Sequence, residues 1–220
     1  MIAVVIPSKT TSNLIPCVAA IRKNEPDLQI IVVDDGLDQS LLPLGEIELI
    51  AGIRPFIFAR NCNLGIRAAG NVDGVVLLND DALLETPVGF SLLAEACRAD
   101  ASIGIIGATC NNVGNRAQWS QGIGLRIEPR MVCFVAAYIP TSTLETVGLL
   151  DERFVGYGFE DDDYCLRVRQ AGLKIGIHDG CYVDHGSLVS TFRGNPEAPA
   201  NLQIGSAIFH RKWGAGNWAL

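Results

Sequence analysis

The chain has 220 residues, 49% of them hydrophobic, enough for one domain with a sizeable core. A formal net charge of −7 and an isoelectric point near 4.9 exclude a general nucleic-acid binder, which would need a basic face. Seven cysteines, odd in number and without a Cys-x-x-Cys pair, argue against zinc or dithiol chemistry and read as buried thiols of a reducing compartment.

The chain enters directly on residues 2–6, an apolar run that predicts a strand. A helix is expected over 16–24, with Pro16 in its first turn, and a second strand over 29–33. A weaker strand at 56–59 and a helix around 64–69 follow, then a strand over 75–78, a helix over 87–99 and a strand over 103–108. This alternation predicts an α/β fold: one domain over 1–220 with a Rossmann-like, mostly parallel central sheet flanked by helices. Unbroken Val/Ile/Leu runs agree, because parallel strands are covered on both faces.

The second half is less regular. Residues 114–128, rich in Gly, Asn and Gln, predict a hairpin or an excursion over the site. A strand is expected over 131–139, a short helix over 141–147, and a better helix over 160–170 with Tyr164, Cys165, Val168 and Ala171 on one face. Residues 186–200 carry Gly, Ser and Pro with little apolar content and read as a mobile loop, before a closing helix over 201–213. No signal peptide and no apolar stretch of membrane-spanning length is visible, so a cytoplasmic protein without an integral membrane segment is expected.

Three acidic constellations carry the functional signal. Val32-Val33-Asp34-Asp35-Gly36 and Val75-Val76-Leu77-Leu78-Asn79-Asp80-Asp81 place carboxylates just past strand-like runs. Open α/β sheets bind ligands beyond such strand ends. Carboxylates collected there suit a hard divalent cation that carries a phosphate ligand. Asp34-Asp35-Gly36 also has a purely structural reading as a turn, and Asn79-Asp80-Asp81 one as a helix cap. The third cluster, Glu160-Asp161-Asp162-Asp163, opens a helix, where acidic residues are favoured by the dipole and Asp163 sits at salt-bridge spacing from Arg167. Beside it, Phe154-Val155-Gly156-Tyr157-Gly158-Phe159 suits a sugar-binding wall.

Taken in order, these pieces resemble a family 2 (inverting) glycosyltransferase of the GT-A fold over nearly the whole chain. The resemblance is carried by Ile6-Pro7, Val33-Asp34-Asp35-Gly36, Ala59-Arg60-Asn61-Cys62-Asn63-Leu64-Gly65-Ile66 and Leu77-Leu78-Asn79-Asp80-Asp81. It continues through Val147-Gly148-Leu149-Leu150-Asp151-Glu152-Arg153-Phe154, Glu160-Asp161-Asp162-Asp163-Tyr164-Cys165-Leu166-Arg167, Asp184-His185 and Arg211-Lys212-Trp213-Gly214.

The resemblance implies a nucleotide-sugar half at about 1–110 and an acceptor and catalytic half at about 111–220. It puts Pro7, Ser8, Asp34, Asp35, Arg60, Asn63, Asn79 and Asp80 on the donor, with Asp35 reading the base and Asp34 near the ribose. Asp81 and His185 are implied as ligands of Mn²⁺ or Mg²⁺, and Asp161 as the catalytic base. Glu160 and Trp213 fall on the acceptor side, and Asn79 stands where an Asp is usual. A lone histidine after a strand is more often a satisfied polar residue, so His185 enters on the resemblance alone.

The expected reaction moves a sugar from a nucleotide-diphosphate sugar, UDP favoured, to a hydroxyl of a glycan, lipid-linked glycan, protein or small molecule. A base contributes roughly 10²–10⁴-fold to such a step. Inversion needs no protein nucleophile, and no Ser/His/Asp or Cys/His arrangement stands out. A sugar nucleotidyltransferase would need a Gly-rich, basic loop after the first strand, which Pro7-Ser8-Lys9-Thr10-Thr11-Ser12-Asn13 is not. A catalytically silent nucleotide-sugar-binding module would have little use for both Asp81 and Asp161.

Overall fold

A computed structural model describes residues 1–155, 158–190, 195–214 and 216. Among the described residues nine strands form one sheet: β1 (Ile2–Ser8), β2 (Gln29–Asp34), β3 (Glu48–Ala51), β4 (Gly74–Leu78), β5 (Leu83–Leu84), β6 (Ile103–Cys110), β7 (Leu125–Glu128), β8 (Ala136–Pro140) and β9 (Lys174–Asp184). Among the described residues there are six helices: α1 (Thr11–Asn24), α2 (Phe58–Ala68), α3 (Gly89–Ala99), α4 (Thr141–Val147) and α5 (Glu160–Gln170) pack on the sheet, and α6 (Ala198–Trp213) packs through Phe209 against Phe154 and Leu166. The strand order is β3-β2-β1-β4-β8-β6-β9-β5, with β7 paired to β9. Strands β1, β2, β3, β4, β6 and β9 run one way, and β5, β7 and β8 run against them. The expected mostly parallel sheet is therefore present, with β8 inserted between β4 and β6.

Period-two alternation on β1 explains the layering. Val4 and Ile6 pack with Leu14, Cys17 and Ile21 of α1 and with Phe90 and Leu93 of α3 on one face. Ala3 and Val5 pack with Cys62 and Ile66 of α2 and with Tyr164 and Val168 of α5 on the other. Gly65 lets α2 come that close, since a Cβ there would lie 2.2 Å from Val5 Cγ1.

The structure corrects several expected elements. Helix α1 begins at Thr11 and runs through Pro16, one backbone hydrogen bond short, rather than starting there. Of the strand expected at 56–59, only Ile57 is an extended bridge residue, and Phe58 and Ala59 begin α2, because Phe58, Cys62 and Ile66 bury one helical face. The third strand is β3, a short edge whose half-exposed Glu48-Leu49-Ile50-Ala51 gives little signal. Residues 114–128 make no hairpin with themselves, and β7 pairs with β9 instead. The strand expected over 131–139 is confined to Ala136–Pro140. Ala171, expected on the buried face of α5, is exposed, while Tyr164, Cys165 and Val168 are buried. Among the described residues, no helix is long and apolar enough to cross a membrane.

Candidate functional site

Every strand that runs the common way ends on the same edge of the sheet, and the polar residues gather there. The β1–β2 register sets Ser8 beside Asp34. The turn after β4 is held by the N–H of Asn79 on the Val135 carbonyl (3.0 Å) and the N–H of Ala82 on the Asn79 carbonyl (3.1 Å). Ser8 Oγ donates to Asp80 Oδ2 at 2.6 Å. Burial raises the Asp80 carboxyl to about 6, against the Ser8 hydrogen bond and helped by the neighbouring charge of Asp81.

Asp81 meets a residue 104 positions away. Leu83 and Leu84 pair with Asp184 and Val183 at the end of β9, and this short ladder brings His185 Nε2 to 3.1 Å from Asp81 Oδ1. Both side chains are nearly buried. The carbonyl of Asn112, just past β6, contacts the other ring nitrogen, His185 Nδ1, at 2.5 Å.

Two cavities of about 460 Å³ each flank this pair. The first is lined by Pro7, Ser8, Lys9, Asn79, Asp80 and Asp81, with an apolar wall at Pro55, Phe56 and Ile57. The second is lined by Glu160, Asp161, Asp162, Arg130, Phe159 and His185. Phe58 and Ser190 border both.

Helix α5 enters the second cavity through a sharp bend. Phe159 is left-handed at φ 71°, Gly158 has φ 105°, and the Gly158 N–H donates to Glu160 Oε2 at 2.7 Å. Burial pushes the Glu160 carboxyl up to about 7. Asp161 is raised well above the ordinary carboxylate range, first by burial and then by the charges of Glu160 and Asp162. Its Oδ1 accepts from the Asp162 N–H at 2.9 Å. Asp162 pairs loosely with Arg130 at 3.6 Å, a residue the sequence reading did not single out.

Other expected site residues are committed to the fold. Asp34 accepts from the N–H groups of Gly36 and Leu37 and from Gln39 Nε2 at 2.7–2.8 Å. Burial opposes its ionisation, but those N–H groups outweigh it and hold the carboxyl below its ordinary value. Arg60 caps the carbonyls of Ile53 and Pro55. Asn63 clasps Leu150 in both directions and Glu152, tying α2 to the chain ahead of α5. Trp213 donates its indole N–H to the buried Asp163 at 2.8 Å, where Lys212 and Arg167 also bind. None of these four side chains lines either cavity. Asp35 differs: its side chain is nearly buried, Arg54 Nε is 3.9 Å away, and Oδ1 has no hydrogen bond. Burial raises its carboxyl, opposed by Arg54 and Lys9.

In the loop expected at 186–200, Ser190 borders both cavities, and the Val189 carbonyl accepts from Asn13 Nδ2 at 2.9 Å. Asn195 and Glu197 border the first cavity before α6 begins at Ala198. Residues 191–194 of that loop, and Gly156 and Tyr157 of the sugar-wall segment, lie outside the described residues.

No protein-family model matches the chain, and no curated protein does. A solved structure, GalNAc-T7 with UDP, GalNAc and Mn²⁺, matches with a TM-score of 0.78 at 14% identity, over 99% of this chain and 48% of that one. The fold is of the GT-A type. The chain spans about half the length of that structure, and at this identity the likeness is one of fold.

Proposed function

We propose that the chain is an inverting glycosyltransferase of the family 2 kind that uses a nucleotide-diphosphate sugar, UDP favoured, and a divalent cation. The observation that carries this reading is the Asp81–His185 pair at the junction of two cavities of equal size. Support comes also from the fold shared with GalNAc-T7, itself solved with UDP, GalNAc and Mn²⁺.

The donor set fits Mn²⁺ or Mg²⁺. An imidazole nitrogen and a carboxylate oxygen 3.1 Å apart converge on one point. Among the described residues no three acidic, His or Cys side chains gather there, so the remaining ligands would come from the donor diphosphate and water. Charge agrees: among the described residues the first cavity is lined by one cation, Lys9, against Asp80, Asp81 and Glu197, so that lining favours an anionic diphosphate that brings positive charge with it. When bound, such an ion supplies Lewis-acid stabilisation of the departing diphosphate.

The chain's own groups supply the rest. The wall at Pro55, Phe56 and Ile57 offers a nucleobase an apolar face, and the unsatisfied Asp35 Oδ1 offers an acceptor for a base or ribose donor. Pro7, Ser8, Asn79 and Asp80 line the donor side, and Asp34, Arg60 and Asn63 support it from behind. In the second cavity Asp161 takes the proton of the acceptor hydroxyl, and burial makes it a stronger base than an ordinary carboxylate. Glu160 borders the acceptor, and Trp213 acts through Asp163 by fixing the start of α5. The seven free thiols support a reducing, cytoplasmic setting.

The test is nucleoside-diphosphate release and sugar transfer from UDP-, GDP- and dTDP-sugars with Mn²⁺ or with EDTA. Asp81→Ala should lose metal-dependent turnover while keeping its melting temperature. Binding of a nucleotide sugar with no turnover toward any acceptor class would turn the reading to a silent binding module.

A further inference from the structure

The end of β6 grips the end of β9 through two consecutive asparagines. Asn111 Oδ1 accepts from the His185 backbone N–H at 2.9 Å, and its Nδ2 donates to Asp184 Oδ1 at 2.7 Å. Asn112 Nδ2 donates to the His185 carbonyl at 3.2 Å, while its own carbonyl oxygen meets His185 Nδ1 at 2.5 Å. The β6–β9 backbone pairing ends at Cys110 and Val183. Past that point the backbones part, and the two Asn residues carry the contact onward. At position 111 the amide side chain accepts from one neighbour and donates to the next. A carboxylate there would face the carboxylate of Asp184, and an apolar side chain would leave both partners unmade.

The consequence falls on the imidazole. A carbonyl oxygen can only accept, so the Asn112 contact requires a proton on His185 Nδ1. In the neutral ring Nε2 is then an acceptor, and it faces a second acceptor, Asp81 Oδ1, at 3.1 Å. Two such atoms repel unless a proton or a cation lies between them.

The geometry points to Asn111 and Asn112 as a positioning pair that fixes the tautomer and direction of His185, so that Nε2 stands ready beside Asp81 before any ion arrives. The use of that arrangement rests on the metal reading above. The tautomer itself is a property of the chain alone, which keeps the two separately testable. Partners of this kind around a metal-binding histidine typically change affinity by about 10–100-fold when removed.

The experiment is ¹⁵N-histidine NMR of the full chain, metal-free and at alkaline pH, with His185 assigned by the signals missing in His185→Gln. The wild type should show His185 only in the Nδ1-protonated form, and Asn111→Ala should show both tautomers. Mn²⁺ affinity, followed by electron paramagnetic resonance of the free ion, should weaken about 10–100-fold in that variant. The double exchange of Asn111→Asp with Asp184→Asn keeps one donor and one acceptor across the contact. It should restore the single tautomer and most of the affinity, which a general loss of stability would not allow. A mixed or Nε2-protonated His185 in the wild type overturns the proposal. So does an Asn111→Ala protein with unchanged tautomer and affinity, or a well-folded double exchange without rescue. A wild type with the fixed tautomer whose His185 signals ignore Mn²⁺ upholds the positioning pair and removes the metal reading.

Discussion

The acidic runs at 79–81 and 160–163 look alike in sequence and are built to different ends, and within each run adjacent carboxylates are treated differently. In the first, Asp80 is tied down by Ser8 while Asp81 faces His185. In the second, Asp163 is fully buried and bound by Lys212, Arg167 and Trp213, whereas Asp161 two positions earlier lines a cavity. A helix turns by about 200° over two residues, given its 3.6 residues per turn. One carboxylate thus points into the protein and the other toward the cavity. A cluster of acids is therefore not one feature, and each member's role follows from its direction and neighbours.

The contrast within the second run can be broken most sharply by Asp161→Asn. Turnover should fall by roughly 10²–10⁴-fold, the usual worth of a general base, with nucleotide affinity and melting temperature near wild type. Near-normal turnover would move the base to another member of the run. Asp163→Ala should do the reverse. It leaves Arg167 without its carboxylate while Lys212 keeps Asp151 at 2.7 Å, and breaking a buried pair costs about 3–5 kcal/mol, read by urea unfolding. A cost below about 1 kcal/mol would show that solvent replaces the carboxylate there, as it does for exposed pairs.

Glu160 offers a test through pH. Its folded carboxyl titrates at about 7 against an ordinary 4.5, so between those values the folded chain holds the extra proton. Stability from this group is therefore lost as pH rises from about 4.5 to about 7, by on the order of 2 kcal/mol. Melting curves across that range should flatten in Glu160→Gln, and an unchanged slope would assign the pH dependence elsewhere. The smallest effect belongs to Arg130→Ala. Its ion pair with Asp162 is 3.6 Å long and the Arg130 side chain is 56% exposed, so less than about 1 kcal/mol should be lost in thermal unfolding.

Legibility followed the same divide. The runs at β1, β2, β4 and β6 are unbroken stretches of buried apolar residues, and each was readable because a strand covered on both faces needs no partner to be recognised. Strands β3 and β7 were not readable, since they are half-exposed edges whose pattern resembles a loop. Asp81 is legible as a strand-end carboxylate, Asp161 as part of a helix-opening acidic run and His185 from the resemblance, and all three reach the cavities. Asp34, Arg60, Asn63 and Trp213 were expected at the site as well, and their polar groups bind the chain itself. Asn112 and Arg130 had no signal, because one acts through a backbone carbonyl and the other through a contact across 32 positions.

Local patterning alone determined that the chain would form a layered α/β domain, for burial of alternating and continuous apolar runs is a short-range property. It also determined that carboxylates would sit at strand ends. Which of them face a cavity was decided only by tertiary structure. The two-residue β5 pairs antiparallel with β9 and carries Asp81 to His185, and α6 returns to take Asp163 out of solvent. Both events join residues 50 or more positions apart, and their geometry depends on how whole elements pack rather than on any spacing along the chain.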